Sequence, residues 1–403
     1  MKKVVVAQHL YGFIGGGEIL ATQFIKAFRK MGYSIAIAST AEINRDKAEK
    51  WFNVDLSDVR TYALFPFFFP YLGLYQRYFF PYAINKAIER EKPDLVYIDT
   101  LLYKPVLKKK EKMGFKIMNY IHFPDPYYIE DGLRRAFDPV AAQSFKEEQK
   151  EYLSKYNSGW WSFYYRAWAR ISKRIMVEDP FSSAEYVLTN SKYTARAIYA
   201  LYGKQPTVLY PPVEVEIFER KRKPYSEREK AAVMIGRITR EKGHKAVIEA
   251  IAKTKSKPKL RIVGGLAPAD SAYKDEIEAF ARERGVEVEL HINVPREEVA
   301  EIAGSSLLFI HNTSGEHFGI AVVEAMASGL PVIVRKSAGP YLDIIDEGRY
   351  GLYFEDIEDL ASKIDAIAES ESEWKKYSEL SERRAEDFTE DKFFENLSRI
   401  MRE

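Results

Sequence analysis

Two glutamates, Glu316 and Glu324, stand eight residues apart in the segment SGEHFGIAVVEAMASGLPVI, residues 314–333. Between them Phe318, Gly319 and Ile320 open a helical pattern that continues through Ala321–Ala327. The backbone amides at a helix start, with the positive end of the helix dipole behind them, favour an anion such as a diphosphate. A carboxylate pair at this spacing can accept from the hydroxyls of two different sugars, Glu316 from a hexose and Glu324 from a ribose. Glu324 interrupts an otherwise apolar helix, VVEAMA, where an unpaired carboxylate is costly to bury. The plainer alternative is a loop glutamate followed by an exposed helical one.

Cationic partners for such an anion lie in IGRITREKG, residues 235–243, at the end of a strand. Arg237 offers a planar fork to phosphate oxygens and Lys242 a point charge. Together they can stabilise charge on a departing diphosphate, a role that a divalent metal otherwise fills. No Asp-x-Asp pair or histidine cluster with metal spacing accompanies them, so no metal is expected. In isolation the segment reads as a solvated basic turn. Two further candidates follow strands in the first half. In IGGGE, Ile14–Glu18, the glycines Gly15, Gly16 and Gly17 allow close backbone approach to a ligand before a helix. The run lacks the G-x-G-x-x-G spacing of a dinucleotide site. His122, in YIHFPDPYY, stands where a strand ends and is either a sugar ligand or a capped structural histidine.

The elements that must position these residues alternate. Apolar strand patterns cover Val4–Ala7, Ser34–Ser39, Asp94–Ile98, Lys116–Ile121 and Tyr186–Thr189. A second series covers Ala232–Ile235, Leu260–Val263, Val286–His291, Leu307–His311, Pro331–Val334 and Gly351–Phe354. Helical patterns separate them, as in parallel sheets covered on both faces. With 403 residues, two domains are expected. The three prolines of Tyr202–Pro212 mark the hinge. The expected fold is α/β: two doubly wound Rossmann-like domains facing across a cleft, with ligands beyond the carboxyl ends of the strands. Residues 1–205 form the N-terminal domain and 206–385 the C-terminal one. A helix over Glu386–Arg402 is expected to pack back towards the first domain.

Composition narrows the function. The absence of cysteine excludes disulfides, thiolate metal sites and cysteine nucleophiles. The small net charge of +2 conceals +10 over residues 1–205 and −8 over residues 206–403, as expected of two modules with different partners, neither of them nucleic acid. A strand pattern starting almost at Met1 and the lack of a long uncharged apolar run lead us to expect a cytoplasmic protein. Two aromatic stretches, Tyr62–Tyr82 and Tyr152–Met176, mix Tyr, Trp and Phe with basic residues. Phe67, Phe68, Tyr71, Trp160, Trp161, Arg166 and Arg170 are candidates for an acceptor groove or for peripheral contact with an anionic membrane. Ordinary core packing is the alternative.

With these residues in place, the chain resembles the retaining family 4 glycosyltransferases of the GT-B fold over nearly its whole length. Within that family it is most similar to the α-1,2-mannosyltransferases that extend the dolichol-linked N-glycan precursor. YIHFPD, YLSKYNS, LTNSKYTA, LYPPVE, INVPREEV, GEHFGIAVVEAMASG and AGPYLDII carry the resemblance. It implies that the first domain binds the acceptor and the second the donor. Arg237 and Lys242 would then bind the donor diphosphate, Glu316 the transferred sugar and Glu324 the ribose. His122 and the Gly16–Gly17 turn would lie at the reaction centre. The resemblance further implies GDP-mannose as donor, a lipid-linked saccharide as acceptor, retention of configuration, and no metal or other cofactor. Eukaryotic members commonly begin with a membrane-spanning helix, whereas here attachment would be peripheral. Other readings are a UDP-sugar donor, a nucleotide-sugar epimerase or sugar-phosphate synthase, and a catalytically silent sugar binder.

Overall fold

A computed structural model describes residues 1–11, 16–69, 73–124, 136–150, 159–177 and 179–402. Two compact units emerge: Met1–Asn190 with Thr194–Pro211 and Phe394–Glu403, and Ser191–Tyr193 with Pro212–Phe393.

The first unit is built on seven strands: β1 Lys3–Ala7, β2 Ser34–Ala38, β3 Arg60–Tyr62, β4 Leu95–Asp99, β5 Lys116–Ile121, β6 Tyr186–Thr189 and β7 Thr207–Val208. Their order is β3-β2-β1-β4-β5-β6-β7, and every pairing is parallel. Runs such as VVVA and IAIA are apolar at every position because helices cover both faces. Val5, Ala36, Val96, Ile98 and Ile117 meet Phe80, Ile84 and Ile88 from the helix Gly73–Glu91 and Trp168 from the helix Gly159–Ser172. Each fully buried side chain of this size contributes roughly 1.5–3 kcal/mol.

The second unit repeats the scheme with β8 Ala231–Ile235, β9 Lys259–Gly264, β10 Val288–Ile292, β11 Leu308–His311, β12 Val332–Arg335 and β13 Leu352–Phe354. Its order, β10-β9-β8-β11-β12-β13, is again wholly parallel. Both sheets therefore reverse direction of growth beside their first strand, between β1 and β4 and between β8 and β11. At such a switch point neighbouring loops diverge and leave room for a ligand.

Three features differ from the sequence expectation. The edge strands β3 and β7 are too short to give a periodic signal. Because β7 falls inside the proline-rich segment and pairs with β6, the first unit runs to Pro211 rather than ending at 205. The last helix is also broken. A helical turn, Glu386–Phe388, is followed by extended Thr389, whose hydroxyl accepts from the Lys392 amide, and then by the helix Glu390–Ile400. Thr389 thus acts as an N-cap where the pattern implied continuity.

In the second unit one half-buried guanidinium fixes the elements behind the switch point. Arg228 donates to the carbonyls of Lys223 at 2.8 Å, Ser306 at 3.0 Å and Ser328 at 2.8 Å, and lies 4.9 Å from the centre of the Trp374 ring. Ser306 leads into β11 and Ser328 ends the helix Ile320–Ala327, so one side chain sets both. Replacing it leaves carbonyls without donors. Arg228→Ala is expected to destabilise the second unit by about 2–4 kcal/mol, measured as a lower urea midpoint. An unchanged midpoint would show that these carbonyls find other donors.

Candidate functional site

At the β8–β11 switch point the two charged segments anticipated from sequence come together. Gly236–Gly243 follows β8, and Asn312–Gly319 follows β11. Lys242, on the short helical turn Arg240–Lys242, places Nζ 2.8 Å from Glu316 Oε2. His311, the last residue of β11, brings Nε2 to 3.7 Å from the same oxygen. Burial alone would raise the Glu316 pKa, but the nearby His311 imidazole and the Lys242 charge hold it well below the usual carboxylate range. Burial lowers the His311 pKa, opposed by Glu316 and assisted by Lys242. The result at neutral pH is an ionised acceptor beside an ammonium group and a neutral imidazole.

The loops that carry this group are braced to each other. Asn312 Nδ2 donates to the Gly243 carbonyl at 3.0 Å, and Arg335 Nη1 donates to Asn312 Oδ1 at 3.2 Å. The Gly339 amide donates to the Glu316 carbonyl at 2.9 Å. A Cβ on Gly339 would stand 2.3 Å from the His317 carbonyl oxygen, so only glycine permits this approach. Gly319 has φ +105°, and a Cβ there would meet Pro340 Cγ at 2.9 Å. The AGPYLDII stretch is therefore the mechanical support of the glutamate loop. Gly319 is the N-cap of the helix Ile320–Ala327, and no side chain caps it.

Other members of the set behave differently. Arg237 is two-thirds exposed and pairs with Glu241 at 3.2 Å. A surface pair of this kind is worth at most about 1 kcal/mol, so the guanidinium is readily recruited by an anion. Phe318 is expected at the donor through its backbone at the helix start; its ring is buried, 5.5 Å from that of Phe388. Glu324 is 5% exposed, as its setting required, yet it is not unpaired: Arg296 Nη2 lies 2.7 Å from its Oε1. The cost of burial that pointed to a ligand is met in part by this partner.

In the first unit the β1–β4 switch point gathers Gln8, Glu18, Asp99 and His122. Gly16 and Gly17 do not form a turn but begin the helix Gly16–Lys30, while Gly15 lies outside the described residues. A Cβ on Gly17 would stand 3.3 Å from Gln8 Nε2 and 3.7 Å from both Asp99 Oδ2 and His122 Nε2. His122 Nε2 is 2.7 Å from Asp99 Oδ1, and Gln8 Nε2 donates to Glu18 Oε1 at 3.1 Å. Gln8 Oε1 is buried without a hydrogen-bond partner. Burial raises the Glu18 pKa. Burial lowers that of His122, but Asp99 and Glu18 reverse the sign and leave it raised.

Sequence reasoning missed Asp99, Gln8, His311 and Arg296. The signal was available for Asp99 and His311: each closes an apolar strand with a polar residue at its carboxyl end, as His122 does just beyond β5. Among the described residues no group of three His, Asp or Glu is arranged to hold a metal. None of the described helices is long and apolar enough to cross a membrane.

The aromatic candidates divide. Phe67 is exposed and its ring lies 4.4 Å from that of Phe69, while Phe68 is half-buried. Tyr71 lies outside the described residues, as do the side chains of Trp160 and Trp161. In the helix Gly159–Ser172, Trp168 points into the core, and Phe163, Arg166 and Arg170 share an exposed face at i, i+3 and i+7.

Two parallel α/β units, each with its polar residues at the switch point, define a GT-B fold. Sucrose-phosphate synthase from Thermosynechococcus elongatus has the same fold, with a TM-score of 0.71 at 16% identity, covering 100% of this chain and 98% of that one. The model of Glycosyltransferase Family 4 matches residues 14–217, half of the chain, and that of Glycosyl transferases group 1 matches residues 215–387. The chain belongs to glycosyltransferase family 4. Two relatives are named GDP-Man:Man(3)GlcNAc(2)-PP-Dol alpha-1,2-mannosyltransferase. The one from Xenopus laevis is 30% identical over 202 residues, 46% of this chain and 42% of the relative. The one from Homo sapiens is 29% identical over 315 residues, 72% of this chain and 60% of the relative. The chain thus spans less than two thirds of either relative.

The His122–Asp99 pair has a defined pH signature. Because the folded-state pKa of His122 is raised, the charged pair stabilises the unit fully below the ordinary value of about 6.5, and this contribution is lost as pH rises through the folded value. The His122 imidazole resonance is expected to titrate above 6.5, and in Asp99→Asn the midpoint is expected to fall. A midpoint unmoved by Asp99→Asn would remove Asp99 as the cause.

Proposed function

We propose that the chain transfers mannose from GDP-mannose to a hydroxyl of a lipid-linked saccharide, with retention of configuration and without a metal. The observation that carries the reading is the ionised Glu316 held beside Lys242 at the carboxyl edge of the second sheet. Lys242 has three N–H donors, and one on Glu316 leaves two for phosphate oxygens. Exposed Arg237 closes on the same diphosphate. Glu316, acceptor only, takes hydroxyls of the sugar, and Glu324 takes those of the ribose. In the reaction the C1–O bond to the diphosphate breaks, and the acceptor oxygen bonds C1 on the same face. The acceptor proton passes to the departing phosphate oxygen. Lys242 and Arg237 stabilise the charge that develops there. The donor and acceptor are those in the names of the curated relatives.

A thermal-shift screen with EDTA present separates the donors, since a ligand of the folded state raises its apparent stability. Shifts with GDP and GDP-mannose, and none with UDP, UDP-glucose or UDP-GlcNAc, are expected. A uridine-only response would keep the transferase and overturn mannose as the sugar. Lys242→Ala is expected to abolish the shift and to lower turnover about 10²–10³-fold. Near-normal turnover would sink the diphosphate assignment.

The exposed face of Phe163, Arg166 and Arg170, with Phe67 and Phe69, supports peripheral attachment on the cytoplasmic side of an anionic membrane. Flotation with phosphatidylserine vesicles is expected to recover the protein at low salt and to lose it at high salt. Arg166→Glu with Arg170→Glu is expected to abolish flotation. Salt-insensitive or absent flotation of the unaltered chain would count against this surface.

A further inference from the structure

We propose that Arg296 is a positioning residue for the nucleotide ribose, fixing Glu324 so that its carboxylate can accept from a vicinal diol. The inference rests on the reading of Glu324 as the ribose ligand and deepens it.

Arg296 is the first residue of the helix Arg296–Ser305, which leaves the carboxyl end of β10. Its guanidinium is held on three sides. Nη2 lies 2.7 Å from Glu324 Oε1, and Nε lies 3.5 Å from Glu214 Oε2. The Phe218 ring centre is 5.2 Å from the guanidinium carbon. Phe218 is fully buried on the short helix Val215–Glu219, which packs against the helices carrying both Arg296 and Glu324. The Arg296 side chain is 42% exposed, and these contacts hold its inward side against Glu324. Among the described residues Arg296 is the one ion-pair partner of Glu324.

Two cis hydroxyls require two acceptor directions from one carboxylate in a set orientation. A carboxylate that is 5% exposed holds its charge poorly without a cation, and its terminal torsion is broad unless a neighbour fixes it. Arg296 supplies both. A lysine would supply the charge without the planar fork.

The test compares GDP with 2′,3′-dideoxy-GDP, and UDP with its dideoxy analogue, by calorimetry on the full chain. The unaltered protein is expected to prefer the ribonucleotide about 10–100-fold, the value of hydrogen bonds to a charged group. In Arg296→Met that preference is expected to fall to within about threefold, the dideoxy affinity being unchanged. Arg296→Lys is expected to recover part of it. Glu324→Gln is expected to lose the same preference, and the loss is not to deepen when both changes are combined. An undiminished preference in Arg296→Met and Arg296→Lys would overturn the positioning role alone. A parallel loss for ribo and dideoxy nucleotides would also overturn it, by showing direct contact with base or phosphate. No preference in the unaltered protein would overturn the ribose reading of Glu324. No binding of either diphosphate would overturn the donor site, and the proposal with it.

Discussion

A half-buried carboxylate that stays ionised beside a lysine constrains the whole carboxyl edge of the second sheet. Glu316 can do so only while Lys242 and His311 remain within a few ångströms, at 2.8 and 3.7 Å. These three residues come from two segments, the loop after β8 and the end of β11 with its loop, so the two must be held in register. The Asn312 bridge to the Gly243 carbonyl ties the lysine loop to the glutamate loop. Gly339 ties the AGPYLDII stretch to it from the other side. Behind them Arg228 fixes the chain at Ser306 and Ser328. The bracing runs from the charged group down to the apolar core, and much of it uses backbone groups. Sequence variation in the loops can therefore proceed only where those carbonyls and amides keep their partners.

The first unit meets a similar demand by other means. Its strand order also diverges beside the first strand, but its charged group sits among the carboxylates Asp99 and Glu18, with Arg77 acting on it as well. Glu18 and Asp99 both raise the His122 pKa, and burial opposes them. The imidazole adds a cation to that cluster when protonated, whereas Glu316 has the Lys242 ammonium group 2.8 Å away. Two sites with the same topology thus differ in kind, one built on a lysine–carboxylate pair and one on an imidazole between carboxylates. The basic balance of residues 1–205 resides largely in exposed side chains such as Arg166 and Arg170, away from this buried group.

How legible each part was follows from how local its cause is. The strands were legible because burial on both faces demands uninterrupted apolar runs, which leave a mark in five consecutive residues. The edges β3 and β7 leave almost none. Glu316, Lys242 and Arg237 were legible because glycine and charge cluster beside them in short segments. The AGPYLDII stretch was legible only as a resemblance, since its physical role depends on Gly339 meeting His317 and Pro340 meeting Gly319 across a fold that composition cannot reveal. The inward turn of the Phe318 ring to Phe388 was not legible, because the reading of this helix start concerned its backbone alone. The break at Thr389 misled because a single capping hydroxyl outweighs a helical pattern that runs through it.

Glu324 shows where such inference has to stop. Its burial followed correctly from the apolar residues around it, and the cost of burial is a sound physical argument. What the argument fixes, however, is that the charge is compensated, not by what. A ligand hydroxyl and a guanidinium meet the requirement equally well on that criterion. Arg296 lies 28 residues away on another helix, and no periodicity connects the two positions. The same holds for Lys242 and Glu316, separated by 74 residues. The pair of glutamates eight apart is the acidic half of the site written contiguously. The basic half is scattered over two other loops, and only the sheet order brings it home. A motif of this kind is best understood as half of an electrostatic circuit, the folded chain supplying the remainder before any substrate arrives.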